Sequence, residues 1–306
     1  MVFTVLSAMG VTAGAHRLWA HRAYKARWPL RLLLATLQTM AFQNHIYEWV
    51  RDHRVHHKFT ETDADPHNAN RGFFFSHIGW LMVRKHKDVF EKGASVDMSD
   101  LEKDPIVMIQ KKTYLVMMPL LCFILPAWFP VWAWGENPWT SWYVASICRY
   151  TVSLNFTWLV NSAAHIWGNR PYDAHIGATD NKTVAILAVG EGWHNYHHVF
   201  PPGTTRRPNS ATIGPICPLL SSIWLLNTVS TYLTSLGWAY DLKTVSADMI
   251  ERRVLRTGDG SHPLSKKLDS AGDHHHHPEN PVWGWDDEDL TEEDKKLAHI
   301  VNRKTE

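Results

Sequence analysis

The chain has 306 residues, enough for one large domain or two small ones, and its formal net charge of +1 gives no electrostatic reason to expect nucleic acid as a partner. Three cysteines, Cys122, Cys148 and Cys217, form no CxxC pair and argue against a disulfide framework or a cysteine zinc site. Sixteen tryptophans suit positions with one apolar and one wet side, such as a membrane interface, and the twenty histidines are the compositional outlier.

In chain order, residues 1–15 are apolar and uncharged but shorter than the roughly 20 residues that cross a bilayer core. No basic stretch precedes them, so no signal peptide is expected. They read as the second half of a spanning helix whose first half is missing. Residues 30–49, "LRLLLATLQTMAFQNHIYEW", are apolar but hold Gln38, Gln43, Asn44 and His45. They predict a helix lying against the membrane or beneath a catalytic part. Residues 50–112 are polar, basic in "VRKHKDVFEKG" (83–93) and acidic in "DMSDLEKD" (97–104), and read as water-exposed structure. Thr113–Gly135 carries no charge, and 137–165 is interrupted only by Arg149. Joined by the turn at 135–138, the two predict a transmembrane hairpin over 113–165.

From Pro208 to Tyr240 there is again no charge, and "ICPLLSSIWLLNTVSTYLTSLGW" is long enough to span or to lie buried or at the interface. "SADMIERRVLRTG" (246–258) predicts a short helix capped by Ser246 and stopped by Gly258. "TEEDKKLAHIVNRK" (291–304) opens with Thr291 and Asp294 in a capping arrangement. It places Leu297, Ile300 and Val301 on one face, which predicts a second helix. The linker between them holds four histidines at 274–277, read as solvated tail. There is no internal repeat.

The placement of the other histidines points to chemistry. His53, His56 and His57, and likewise His194, His197 and His198, fall at i, i+3 and i+4, on one helical face and within reach of a common metal. His16 and His21 are five apart, about 140° around a straight helix. That pair needs a helix end or bend, or else serves two metals. Asn161 and His165 share a face near the end of the second apolar block. One tetrahedral zinc takes four ligands, so these imidazoles together suit two metals of five- or six-coordinate habit with room for oxygen. Spacing alone leaves iron, copper, nickel and zinc open.

The stretches "GAHRLWAH", "EWVRDHRVHHKF", "NSAAHIWG" and "EGWHNYHHVFP" closely resemble the membrane-bound acyl-CoA desaturases, in particular the delta-9-like (stearoyl-CoA) insect members. The resemblance covers about 1–200, resumes at "GWAYDLKTVS" (237–246) and continues into the tail "WGWDDEDL". The third box opens with His194 rather than glutamine, unlike front-end desaturases. No HPGG motif is present, so a fused cytochrome b5 domain is not expected.

The resemblance implies an all-α membrane protein with four transmembrane helices and a cytosolic, helical, histidine-rich di-iron domain, multi-pass in the endoplasmic reticulum membrane. The organisation would be a partial spanning helix (1–15), a part with the first two boxes (16–112), the hairpin (113–165), a part with the third box (166–200), a divergent apolar segment (201–236), and cytosolic C-terminal helices and tail (237–306). The implied reaction inserts a cis double bond into a saturated fatty acyl-CoA, using O2 and electrons from cytochrome b5 and its reductase. Two iron ions would be held by His16, His21, His53, His56, His57, His165, His194, His197 and His198, with Asn161 acting through a water. No catalytic side chain beyond these ligands is implied. The acyl tunnel and its bend would fall on Gln43, Trp49, Thr157 and Trp158, and the coenzyme A group would meet Asn44, Arg51, Asp52, Arg84 and Lys85.

Physical reasoning adds to this. An alkyl chain offers no polar handle, so its position must be read by a narrow apolar tunnel. Arg84 and Lys85 suit phosphates at its mouth. Asp52 and nearby acids are expected to accept from ligand imidazole N–H groups. His45, His67, His77, His86, His175, His262 and His299 are assigned structural or surface roles. The pattern departs from the family in two places: the first spanning helix with half of the second, and the foreign, longer 201–236 segment, as a compensated frame shift or alternative exon would produce. A catalytically inactive truncated paralogue and a related di-iron fatty-acyl hydroxylase are the alternative readings.

Overall fold

The computed structural model describes residues 2–203, 236–265 and 281–303. The chain opens with the helix Val2–Met9, which widens without a break into a π-helix, Gly10–Ala20. This pair crosses the Trp28–Ala41 helix at backbone contact: a Cβ on Gly10 would stand 2.2 Å from the Gln38 backbone nitrogen and 2.3 Å from the Leu37 carbonyl carbon. Glycine at position 10 is therefore what allows the first histidine-bearing segment to lie flat on its neighbour.

The apolar stretch 30–49 divides into two helices rather than forming one. Trp28–Ala41 stops at Phe42, whose φ of 49° is left-handed, and Asn44 is left-handed as well. A new helix, Ile46–Lys58, then starts on His45, whose ring accepts from the Glu48 backbone N–H at 3.2 Å. The break is held by buried amides. Gln38 donates to the Asn44 carbonyl (2.7 Å), while Gln110 donates to Gln38 (2.8 Å) and Thr39 (3.0 Å) and accepts from the Ile46 N–H (3.1 Å). The polar residues that interrupt the apolar pattern thus satisfy a buried chain reversal.

Ile46, Val50 and Val55 bury one face of the Ile46–Lys58 helix in the main apolar core with Leu18, Trp19, Leu30, Leu34 and Leu101. The same helix carries the histidines of the second box.

The predicted hairpin forms with shifted ends. Pro105–Trp134 is continuous through a π-helical turn at Leu120–Ile124, and among the described residues it is the one helix long and apolar enough to cross a membrane. Leu115, Trp128 and Trp132 on it are exposed, as a lipid-facing surface would be. Gly135 turns the chain with φ 72°, and Asn137 caps the return by accepting from Trp139 N (2.9 Å) and Thr140 N (3.3 Å). The return arm runs through Pro138–Ser141, Trp142–Cys148 and Arg149–Asn161. Ser141 and Ser146 donate to the carbonyls of Ala127 (2.5 Å) and Phe123 (2.6 Å), and Arg149 donates to the Cys122 carbonyl at 2.6 Å. The one charge in the second apolar block is turned inward onto backbone oxygen.

The described residues are mainly helical but not all-α. The short strand β1 (Lys25–Ala26) pairs antiparallel with β2 (Ala239–Tyr240), and β3 (Leu242–Val245) pairs antiparallel with β4 (Ala298–Val301). The last pair corrects the predicted helix over 291–304. Thr291 does cap a helix, Glu292–Leu297, by accepting from the Asp294 N–H at 3.1 Å, but the chain then extends as β4. Capping chemistry fixed the start, and pairing with β3 overrode the 3.6-residue spacing after Leu297. The helix Ala247–Thr257 forms as predicted, with Ser246 accepting from Met249 N at 3.2 Å. The four histidines at 274–277 and nearly all of the divergent segment 201–236 lie outside the described residues.

Gly10→Val should push a branched side chain into the backbone of Leu37 and Gln38. Overpacking of this kind costs about 1–3 kcal/mol, so the thermal midpoint of the detergent-solubilised protein should fall. Equal midpoints for wild type and Gly10→Val would contradict the backbone crossing.

Candidate metal centre

The π-helix resolves the spacing of the first box. Its hydrogen bonds close at i→i+5, and the His21 N–H donates to the His16 carbonyl at 3.0 Å. Residues five apart then stack, so His16 and His21 enter one cluster without the bend a regular α-helix would need. Helix Ile46–Lys58 supplies the second box and the short helix His194–Val199 the third. His165 comes from a separate turn, Ala163–Ile166, just past the return arm.

The two HxxHH boxes do not each serve one metal. The ligand atoms of His16, His21, His53 and His197 all lie within 4.8 Å of one another, and so do those of His56, His165, His194 and His198. His57 joins the first group, its Nε2 standing 3.0 Å from His197 Nε2. In each box one cluster takes the i, i+4 pair and the other takes the i+3 histidine: His53 and His57 against His56, and His194 and His198 against His197. A helix turns 3.6 residues per revolution, so i+3 projects to the other side of the i, i+4 pair. The boxes interlock, and the rings of His57 and His198 stack at 4.2 Å between the clusters.

The donor atoms call for cations. Within the first cluster the Nε2–Nε2 separations are 2.9 Å for His16–His197 and 2.8 Å for His21–His53. Within the second they are 3.0 Å for His165–His194 and 3.1 Å for His194–His198. Several of these rings spend their one proton on the far side. His16 Nδ1 faces Glu191 at 3.1 Å, His56 Nδ1 faces Asp65 at 2.9 Å, and His21 Nδ1 donates to the Trp283 carbonyl. The Nε2 of each is then a bare lone pair pointed inward, as a metal ligand requires. His165 Nδ1 faces Glu61 at 3.6 Å, too long for a hydrogen bond. The residues fit two imidazole-bound metal ions.

Burial, reinforced by the neighbouring imidazoles, holds His21, His53, His57, His194, His197 and His198 well below the ordinary imidazole value. Their neutral form is the metal-binding one. His67, assigned a structural role, sits beside Asp65 and is brought down to about 3, chiefly by burial.

The remaining candidates divide. Trp49 stacks on His53 with centroids 4.8 Å apart, and Trp49, Thr157 and Asn161 line a cavity with Val11, Phe156, Val160 and Leu187 whose wall includes His16, His53, His56 and His194. Gln43 is outside that lining but donates to Thr157 at 2.9 Å. Trp158 packs edge-on to His77 at 5.8 Å, while His77 reaches Ser162 (2.9 Å) and Asn155 (3.2 Å). Asp52 does not accept from an imidazole. It is held instead by Arg51 at 3.0 Å and by Lys85. The acids that do meet ligand imidazoles, Glu191 and Asp65, lie at irregular distances from the boxes in sequence. Arg84 is exposed beside Lys85, and Asn44 lies at the break before the Ile46–Lys58 helix.

Fold and site together define a helical protein built around paired polyhistidine clusters. The fatty acid desaturase family model matches residues 1–212, and the chain belongs to that family of oxidoreductases. It is 55% identical over 301 residues to an acyl-CoA Delta-9 desaturase of Acheta domesticus, covering 98% of this chain and 76% of that one. It is 53% identical to an acyl-CoA Delta12-desaturase of the same cricket, covering 98% of this chain and 77% of that one. With the human stearoyl-CoA desaturase 5 it shares 54% identity over 257 residues, covering 84% of this chain and 75% of that one.

The unfolded histidines titrate near 6.5 and the folded ones lower, so below that value the unfolded chain binds more protons. Metal-free protein should therefore lose stability as pH falls from 7 towards 5, by up to about 1.4 kcal/mol per pH unit for each imidazole kept neutral. A melting temperature constant across that range would contradict the buried, neutral cluster.

Proposed function

We propose that the chain is an oxygen-dependent acyl-CoA desaturase that holds one iron ion in each imidazole cluster and receives electrons from cytochrome b5 and its reductase. The observation that carries this reading is the junction of the two clusters with a mainly apolar cavity: His16, His53, His56 and His194 form part of a wall shared with Val11, Trp49, Phe156, Val160 and Leu187. Iron bound there supplies the oxygen activation that removing hydrogens from an unactivated alkyl chain demands.

The protein's own part is placement. The apolar lining takes the alkyl chain out of water, and shape alone fixes which carbons face the clusters. Trp49, stacked on His53, sets the wall nearest the metal. The Gln43–Thr157 hydrogen bond ties the break after Trp28–Ala41 to the return arm, so the cavity's bend moves with both elements. Asn161, on the same wall, would reach a metal through a water. Arg51, Lys85 and the exposed Arg84 gather cationic groups on one side of the Ile46–Lys58 helix, suited to the phosphates of coenzyme A, with Asp52 and Glu48 fixing Lys85. Asn44 adds a polar group at the same end.

The uncharged, exposed face of Pro105–Trp134 and the inward-turned Arg149 support a transmembrane hairpin made with the 138–161 arm. An endoplasmic-reticulum location with the histidines on the cytosolic side would give them access to the electron donor. The two Acheta domesticus relatives are named for different double-bond positions at nearly equal identity to this chain, so identity alone assigns no position to it.

Expression of this chain in an auxotroph for unsaturated fatty acids should restore growth and yield cis-alkenoyl products, and His53→Ala or His56→Ala should abolish both. An alcohol product would reassign the chain as a hydroxylase. Failure to grow beside a working full-length relative would overturn the reading in favour of an inactive chain.

A further inference from the structure

The tail segment 281–290, "PVWGWDDEDL", lies outside the stretch matched by the family model, yet it is built onto the first imidazole cluster. Trp283 is buried, and its carbonyl accepts from His21 Nδ1. The Trp285 N–H donates to the His21 carbonyl at 3.1 Å. Between them, a Cβ on Gly284 would stand 2.7 Å from the His21 carbonyl oxygen and 2.9 Å from its Cα. No other residue could lie this close.

The segment is locked from both sides. Asp287 accepts from the Trp283 N–H at 2.7 Å and binds Lys58 Nζ at 2.8 Å, and Lys58 directly follows His57. The guanidinium of Arg54, next to His53, lies 4.1 Å from the Trp283 ring centroid and also donates to the Trp19 and Ala20 carbonyls at 2.7 and 3.1 Å. Every one of these contacts bears on a first-cluster ligand or its immediate neighbour. The second cluster has its own acids, Asp65 and Glu61.

We infer that residues 281–290 are a positioning strap for one metal of the pair: the Trp283 carbonyl fixes the tautomer and aim of His21, and Gly284 and Asp287 hold that carbonyl in place. The inference rests on the two-iron reading above. Losing such an outer partner of a ligand histidine typically weakens metal binding about 10- to 100-fold.

The test is release of iron(II) from the detergent-purified, iron-loaded full chain to excess ferrous chelator without oxygen, counted per chain. Asp287→Asn and Gly284→Ala should each speed the release of one iron by about tenfold or more and leave the other within twofold. Asp65→Asn should also speed one iron, and combining it with Asp287→Asn should speed both, whereas Asp287→Asn with Gly284→Ala should still speed only one. Both irons released faster together by Asp287→Asn alone, or neither, would overturn the strap. A wild-type chain that takes up a single iron would contradict the two-iron reading instead. In that case the strap stands if both tail variants speed that iron's release and falls if they do not.

Discussion

Bare imidazole nitrogens about 3 Å apart repel one another, and burial removes the water that would separate them. Keeping them together is the constraint around which this fold is arranged. His16, His21 and His56 spend their proton on Glu191, on the Trp283 carbonyl and on Asp65, so the lone pairs must face inward. Metal ions relieve that repulsion. The elements that deliver these rings are correspondingly unusual: a π-helix for the first box, a broken apolar stretch whose second half carries the second box, and a single short turn for His165.

The chemistry was largely legible in the residues, because side chains at i, i+3 and i+4 must share a helical face. What spacing did not disclose was how the faces are divided. A face that looks common to three histidines is wide enough to serve two centres, and the i+3 member of each box crosses over. The five-residue gap between His16 and His21 pointed to an irregularity without naming it. A π-helix is a local widening that no residue pattern in "GVTAGAHRLWA" announces, and Gly10 marks only the close crossing that accompanies it.

Elsewhere, long-range contacts decided what local pattern could not. Leu297, Ile300 and Val301 read as a helical face, but β3 offered an open edge and the chain took it after Leu297. Asp52 was the nearest acid to the second box in sequence, yet Arg51 and Lys85 engage it, and it is Asp65, beyond the helix end, that reaches His56. The charge-free run from Thr113 needed no tertiary information, since its length and composition define the exposed arm Pro105–Trp134. The role of the tail was hidden because it acts through backbone: the carbonyl of Trp283 and the missing Cβ of Gly284.

The central claim is that two metals sit side by side on nitrogen, one in each cluster. X-ray absorption on the iron-loaded protein, with metal counted per chain, tests it directly. Two irons per chain in a shell dominated by imidazole nitrogen, with the multiple-scattering signature of histidine, is the expected result. A single iron, or a shell dominated by oxygen or sulfur, would contradict it.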